Sequence, residues 1–242
     1  MKFQIISDIH LERLQYLNTS TFLITPKAEY LILVGDICNI EKFDMYKSFL
    51  QEVCSLYKKV FLVPGNNEYY STMYSYEFLD MQLSKFAQTI SNLIYLNSKY
   101  YDIDDVRIYG SILWSCIPPS YSYSHFMPIK DDQLNNIDAN WINKQHESCL
   151  KDLTNSLSST KKNLVVTHYP PTFEKTMSNK YTTSRKRFFY ANELSDLINS
   201  KLVHTWVYGH THINSDFIKN ETRIISNQFF GLDYSNEKVI EI

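Results

Sequence analysis

The side chains in this sequence best suited to holding divalent cations fall in short clusters far apart along the chain. These are Asp8-Ile9-His10, Gly35-Asp36, Gly65-Asn66-Asn67-Glu68, His168 ahead of Tyr169-Pro170-Pro171, and Gly209-His210-Thr211-His212. Carboxylate, imidazole and amide oxygen are ligands for borderline divalent metals such as Mn, Fe, Zn or Ni. Taken singly, most of the clusters say little. Gly35-Asp36 is ordinary turn chemistry, Asp8-Ile9-His10 suits many strand-end turns, and a lone histidine such as His168 is more often a satisfied side chain than a ligand. Gly209-His210-Thr211-His212 says more, because two histidines one residue apart after a glycine suit metal binding. All of them together, in order and each behind an apolar run, are not explained by turn chemistry and point to one shared metal site.

The elements that must position these residues alternate short apolar runs with longer amphipathic stretches, the rhythm of an α/β protein. Strands are predicted at 3–7, 30–34, 60–63, 93–96, 106–109, 164–167, 203–208, 216–218, 223–225 and 238–242. Apolar residues at helical spacing predict helices over 43–57, 73–90, 134–157 and 192–198. Each polar cluster lies just past the carboxyl end of a strand, where α/β sheets bind their ligands. The glycines before Asp36, Asn66 and His210 are expected to turn the backbone sharply and aim those side chains at a common point. Two stretches, 118–130 and 170–190, follow no period and read as long loops, which in compact domains tend to be lids, binding loops or disordered segments.

Bulk properties bound the function. The chain of 242 residues carries a formal charge of -2, which argues against a wholesale nucleic-acid binder. No repeat or linker divides it, so residues 1–242 are expected to form a single domain. Cys38, Cys54, Cys116 and Cys149 lie far apart with no C-x-x-C pairing, which suggests reduced thiols and a cytoplasmic protein. The chain runs directly from a strand-like Phe3-Gln4-Ile5-Ile6 into polar Ser7-Asp8, so no cleavable leader is expected, and no apolar stretch is long enough to cross a bilayer. No membrane partner is expected.

Asp8-Ile9-His10, Gly35-Asp36, Gly65-Asn66-Asn67-Glu68, His168 and Gly209-His210-Thr211-His212 together resemble the calcineurin-like metallophosphoesterases, whose pattern is D-x-H, G-D, G-N-H-D/E, a histidine, and G-H-x-H. The resemblance covers nearly the whole chain. It implies a four-layer α-β-β-α sandwich with two mixed sheets. It also implies two divalent metal ions, one held by Asp8, His10, Asp36 and His212, the other by Asp36, Asn66, His168 and His210, with Asp36 bridging them. Paired catalytic metals sit about 3.5–4 Å apart, a separation that a shared carboxylate fixes. The activity implied is hydrolysis of phosphate mono- or diesters, a nucleotide-like substrate among them, by a water that loses its proton near neutral pH between the cations. Glu68 is expected to orient Asn66 from behind.

One position departs from that pattern. The family commonly carries histidine after the metal-binding asparagine, placed to stabilise the transition state and help protonate the leaving oxygen, and this chain has Asn67. An amide donates a hydrogen bond but is no general acid, and acid catalysis is worth about 10²–10⁴-fold. Diesters, or monoesters with acidic leaving groups, should therefore be favoured. His125 is a candidate substitute acid. The resemblance does not extend to purple acid phosphatases, which place a tyrosine where Asn39 stands, or to protein serine/threonine phosphatases, whose G-D-x-V-D-R-G run is missing. Lys175, Lys180, Arg185, Lys186 and Arg187 form a basic segment that reads either as a phosphate-gathering lid near His168 or as a solvated loop. Tyr121 and Tyr123 could stack on a base or aryl group or merely pack. An inactive scaffold with this fold and a nuclease are the competing functions. Filled ligand positions weigh against the first, and a single basic segment weighs against the second.

Overall fold

The computed structural model describes residues 1–14, 24–119 and 127–242. Tyr121, Tyr123 and His125, with the roles expected of them, lie outside the described residues. The apolar runs become the strands of two mixed sheets. The first contains β1 (Lys2–Ile6), β2 (Tyr30–Val34), β3 (Lys59–Val63), β4 (Leu93–Tyr95) and β11 (Val239–Glu241), in the order β11-β1-β2-β3-β4. The second contains β5 (Lys99–Ile103), β6 (Val106–Ser111), β7 (Lys162–Thr167), β8 (Val203–Tyr208), β9 (Asp216–Lys219) and β10 (Thr222–Ser226), in the order β5-β6-β7-β8-β10-β9. Neighbours β1 to β4 run parallel, as do β6, β7, β8 and β10, while β11, β5 and β9 are antiparallel edges.

Side-chain alternation decides the layering. Phe3, Ile5, Ile32, Val34, Phe61 and Val63 of the first sheet share one buried cluster with Val106, Ile108, Leu164, Val166, Val207 and Ile225 of the second. The residues between them in sequence face outward onto helices. Helix α1 (Phe43–Leu56) offers Phe49, Leu50 and Val53, and α2 (Tyr76–Ala87) offers Leu79 and Leu83, toward the first sheet. Helix α3 (Ala139–Ser156) sets Ile142, Cys149 and Leu153 against the second. The result is the expected four-layer α-β-β-α sandwich, with each buried aliphatic or aromatic side chain worth about 1.5–3 kcal/mol.

Departures from the sequence reading have local causes. Helix α2 begins at Tyr76 rather than at 73 because Ser75 accepts a hydrogen bond from the Phe78 N–H, and α3 begins at Ala139 rather than at 134 because Asp138 accepts from Trp141. Strand β5 was not expected. It is a charged, partly exposed edge strand, Lys-Tyr-Tyr-Asp-Ile, whose pairing with β6 through a turn at Asp104 and Asp105 supplies what apolar patterning does not. Within the second irregular stretch a short helix, α4 (Asn179–Thr182), and a 3-10 turn at Arg185–Phe189 give local order.

Candidate metal centre

The carboxyl ends of β1, β2 and β3 meet those of β7 and β8 at one edge of the sandwich. Backbone hydrogen bonds continue past the strands and lock the loops together. Asp8 N–H donates to Gly35 O at 3.0 Å, His10 N–H to Asp36 O at 3.0 Å, and Gly209 N–H to His168 O at 3.0 Å. The sheets approach so closely here that a Cβ on Gly209 would lie 2.8 Å from Asp8 Oδ2 and 2.9 Å from Val34 O. Only Gly35, of the three glycines expected to turn the chain, has a left-handed backbone, with φ 82°. Gly65 and Gly209 serve close approach instead. The sharp turns fall on the polar residues themselves: Asp8 (φ 55°), His10 (49°), Asp36 (52°), His210 (76°) and His212 (55°) are all left-handed. Such conformations cost about 1–3 kcal/mol each and gather at functional sites.

Two groups of side chains result. Asp8, His10 and His212 offer ligand atoms all within 4.8 Å of one another, and so do Asp36, His168 and His210. The carboxylate of Asp36 lies between them, with Oδ2 3.7 Å from His10 Nε2 and Oδ1 3.3 Å from His168 Nε2. His212 Nε2 lies 3.4 Å from Asp8 Oδ1. Ring centroids are 5.5 Å apart for His10 and His212, and 5.2 Å apart for His168 and His210. Among the described residues, the buried atoms that lack a hydrogen-bond partner include His10 Nε2, His168 Nε2 and Asn66 Oδ1, all in this one region. Buried polar atoms are ordinarily satisfied, so this coincidence of orphaned donor atoms is what a pair of cations would explain, and the residues fit such a group.

The remaining atoms of these side chains are held from behind. His168 Nδ1 faces Val34 O at 2.9 Å, His210 Nε2 faces Phe189 O at 3.3 Å, and His10 Nδ1 faces Glu12 Oε1 at 3.2 Å. Partners of this kind fix ring orientation and tautomer. The amide of Asn66 is oriented by Tyr70, whose hydroxyl accepts from Nδ2 at 2.8 Å, and not by Glu68 as expected. Glu68 instead accepts from the N–H groups of Asp36, Ile37 and Gly65 at 2.9, 2.8 and 2.9 Å, tying the β2 and β3 loops together. Burial and the charge of Asp36 push its carboxyl up to about 7.

The electrostatics follow from packing charged groups in a dry place. Burial opposes a charge on His168, but the Asp36 carboxylate beside it prevails and raises the ring to about 9. Burial and the charge of His168 both lower His210, to about 4. Burial alone would raise Asp36; the histidines around it hold it well below the usual carboxylate range.

Asn67 is buried, its N–H donating to Asp36 Oδ1 at 2.8 Å and its Nδ2 to Glu12 Oε1 at 2.9 Å. Glu12, which sequence reasoning missed, thus joins His10 to Asn67 and also accepts from the Asn39 N–H at 3.1 Å. Gln228 was missed as well. It is fully buried, and its Oε1 accepts from the His212 N–H at 2.6 Å while its Nε2 donates to Ile213 O at 2.8 Å. It follows strand β10, so the strand-end rule that found the other clusters could have found it. The stretch that carries the basic residues meets the His168–His210 pair at His210, through Phe189 O at 3.3 Å and the Tyr190 ring at 6.0 Å. Arg187 lies over the Phe173 and Phe188 rings, and Lys180 over Tyr181.

A fold of this kind with this edge defines a class, and the comparisons agree with it. The chain belongs to the calcineurin-like phosphoesterase family, whose model matches residues 1–214. It is 33% identical over 261 residues to a protein of Acanthamoeba polyphaga mimivirus, uncharacterized protein L509, covering 96% of this chain and 91% of that one. Solved structures that share the fold include the following two. Phosphopantetheinyl hydrolase from Mycobacterium tuberculosis matches with TM-score 0.69 and 16% identity, over 98% of this chain and 90% of that one. A dimetal phosphatase from Danio rerio matches with TM-score 0.53 and 13% identity, over 95% and 88%. Family and side-chain clusters together support a metal-dependent phosphoesterase acting on phosphate esters. Among the described residues no helix is long and apolar enough to cross a membrane.

Proposed function

We propose that residues 1–242 form one catalytic domain with a dinuclear centre. Asp8, His10, Asp36 and His212 hold one divalent ion, and Asp36, Asn66, His168 and His210 hold the other. The observation that carries this reading is the Asp36 carboxylate, whose Oδ2 faces His10 and whose Oδ1 faces His168. The name of the zebrafish neighbour, a dimetal phosphatase, lends it support. Bound ions of this kind supply Lewis acidity and lower the pKa of a water to near neutrality. The chain's own residues do the rest. Val34 O keeps the His168 Nδ1 proton in place, Glu12 does so for His10, and Tyr70 turns the Asn66 oxygen toward the centre. The basic segment steers the anionic ester toward His210.

Asn67 delivers no proton to a leaving oxygen, so diesters and monoesters with acidic leaving groups are the favoured substrates. The four cysteines, all free thiols, support residence in the cytoplasm.

The test is metal-free protein reloaded with Mn, Fe, Zn or Ni and assayed on an aryl diester, an aryl monoester and an alkyl monoester. Metal-dependent hydrolysis with the alkyl monoester slowest is expected. Asn67→His should narrow that gap by part of the ~10²–10⁴-fold that acid catalysis provides. Failure to bind metal and hydrolyse any ester would favour the scaffold reading.

A further inference from the structure

The turn after β10 places one large apolar ring where nothing in the metal chemistry needs it. Phe230 is 45% exposed, yet its ring lies 6.1 Å from that of His212 in a stacked arrangement (29°) and 5.9 Å from that of His10 (49°). It therefore borders both histidines of one cluster and shows the rest of its surface to solvent.

The turn that carries it is fixed. Phe229 N–H donates to Ser7 O at 2.9 Å, at the foot of Asp8, and Gly231 N–H closes the turn on Gln228 O at 2.9 Å. Asn214 braces it from beneath, its Oδ1 accepting from the Gln228 N–H at 2.6 Å and its Nδ2 donating to Leu232 O at 3.0 Å. Gln228 in turn holds the His212 backbone. A ring mounted this way gives up little freedom when something settles on it, which is how preorganised contacts gain affinity. Of the other aromatic rings bordering the centre, that of Tyr169 lies 4.0 Å from the His210 ring but is fully buried, and that of Tyr190 is already stacked on Tyr181 at 4.8 Å and 19°.

We propose that Phe230 is a specificity residue: its exposed surface receives a planar aromatic group attached to the phosphate ester, by offset stacking or edge contact. The inference rests on the phosphoesterase reading and adds the substrate class to it. Aromatic pairs of this kind contribute about 0.5–1.5 kcal/mol, or roughly 2- to 13-fold in binding. The ring could belong to a simple aryl ester or to a nucleobase, and the two are separable by assay.

The experiment compares wild type with Phe230→Ala and Phe230→Trp, metal content being measured in each sample. The substrates are a phenyl, a thymidine and a methyl phosphodiester. In parallel, phenylphosphonate and methylphosphonate, which are not hydrolysed, are titrated calorimetrically into metal-loaded protein. Phe230→Ala should lower the phenyl-to-methyl ratio of kcat/KM, and of phosphonate affinity, by about 2- to 13-fold at equal metal content, and Phe230→Trp should keep or raise both. A thymidine-to-methyl ratio that falls alongside identifies a nucleobase as an acceptable ring; one that stays fixed while the phenyl ratio falls restricts the subsite to small aryl groups. Ratios unmoved in Phe230→Ala, or moved only in step with metal loss through His10 and His212, would overturn the proposal and leave a shielding ring. If the wild type hydrolyses nothing, the phosphoesterase reading fails on its own, while the phosphonate preference still decides for or against the platform.

Discussion

The two candidate clusters use similar ligand types but are held in different ways. In the group of Asp8, His10 and His212, the supports are side chains: Glu12 behind His10 and Gln228 behind the His212 backbone. The His212 side chain is 36% exposed there, beside the exposed Phe230. In the group of Asp36, His168 and His210, both rings lean on backbone carbonyls, Val34 O and Phe189 O, and His168 and Asn66 are buried. A carboxylate partner raises the basicity of its histidine, whereas a carbonyl fixes the tautomer without adding charge. Each cluster pairs two buried members with one half-buried histidine, His212 or His210, so the contrast lies in the supports. The first cluster is adjustable by side-chain substitution, whereas the second rests on backbone and its properties follow from the fold.

The largest expected effect comes from the one group that belongs to both. Asp36→Asn should strip metal from both clusters and lower kcat/KM by more than the ~10–100-fold typical of losing a supporting residue. Elemental analysis of the purified variant checks this, and full metal content in Asp36→Asn would break the comparison at its centre. Next come variants that separate the clusters. Glu12→Ala removes the partner of His10 and Tyr70→Phe that of Asn66, so each should weaken one site by about 10–100-fold and spare the other. Stepwise metal titration should show two affinities moving independently.

A further effect is one of pH, and it belongs to the cluster of His168 and His210. Without metal, His168 stands near 9 against an ordinary value of 6.5. Its raised value stabilises the fold fully below 6.5, and that contribution is lost as pH rises through about 9. His210 stands near 4, so its contribution is full above 6.5 and lost as pH falls through about 4. The raised carboxyl of Glu68 opposes His210 between pH 4.5 and about 7, so the clearest change expected of the metal-free protein is a loss of stability as pH rises from 6.5 through about 9. Metal needs neutral imidazole, so the stabilisation that metal confers should grow with pH up to about 9. Thermal unfolding with and without metal over this range checks both signs.

The sequence shows which side chains the fold gathers better than it shows what poses them. Asp8, His10, Asp36, Asn66, His168, His210 and His212 were legible because apolar runs ended in polar clusters, and parallel strands necessarily bring their carboxyl ends to one edge. Glu12, Tyr70 and Gln228 were not, because a supporting residue is defined by the neighbour it reaches. Gln228 touches a backbone sixteen residues away in sequence. Left-handed backbone at Asp8 and His212 was also hidden, since it is imposed by the packing of two sheets and not by local preference. Strand β5 escaped for a related reason, its place being set by pairing with β6 rather than by apolar alternation.

The central claim is that Asp36 sits between two cations. Anomalous diffraction from crystals of protein reloaded with Mn or Zn tests it most directly. Two metal peaks about 3.5–4 Å apart are expected, with Asp36 touching both, His10 and His212 on one and His168 and His210 on the other. A single peak, or two that do not share Asp36, would contradict it.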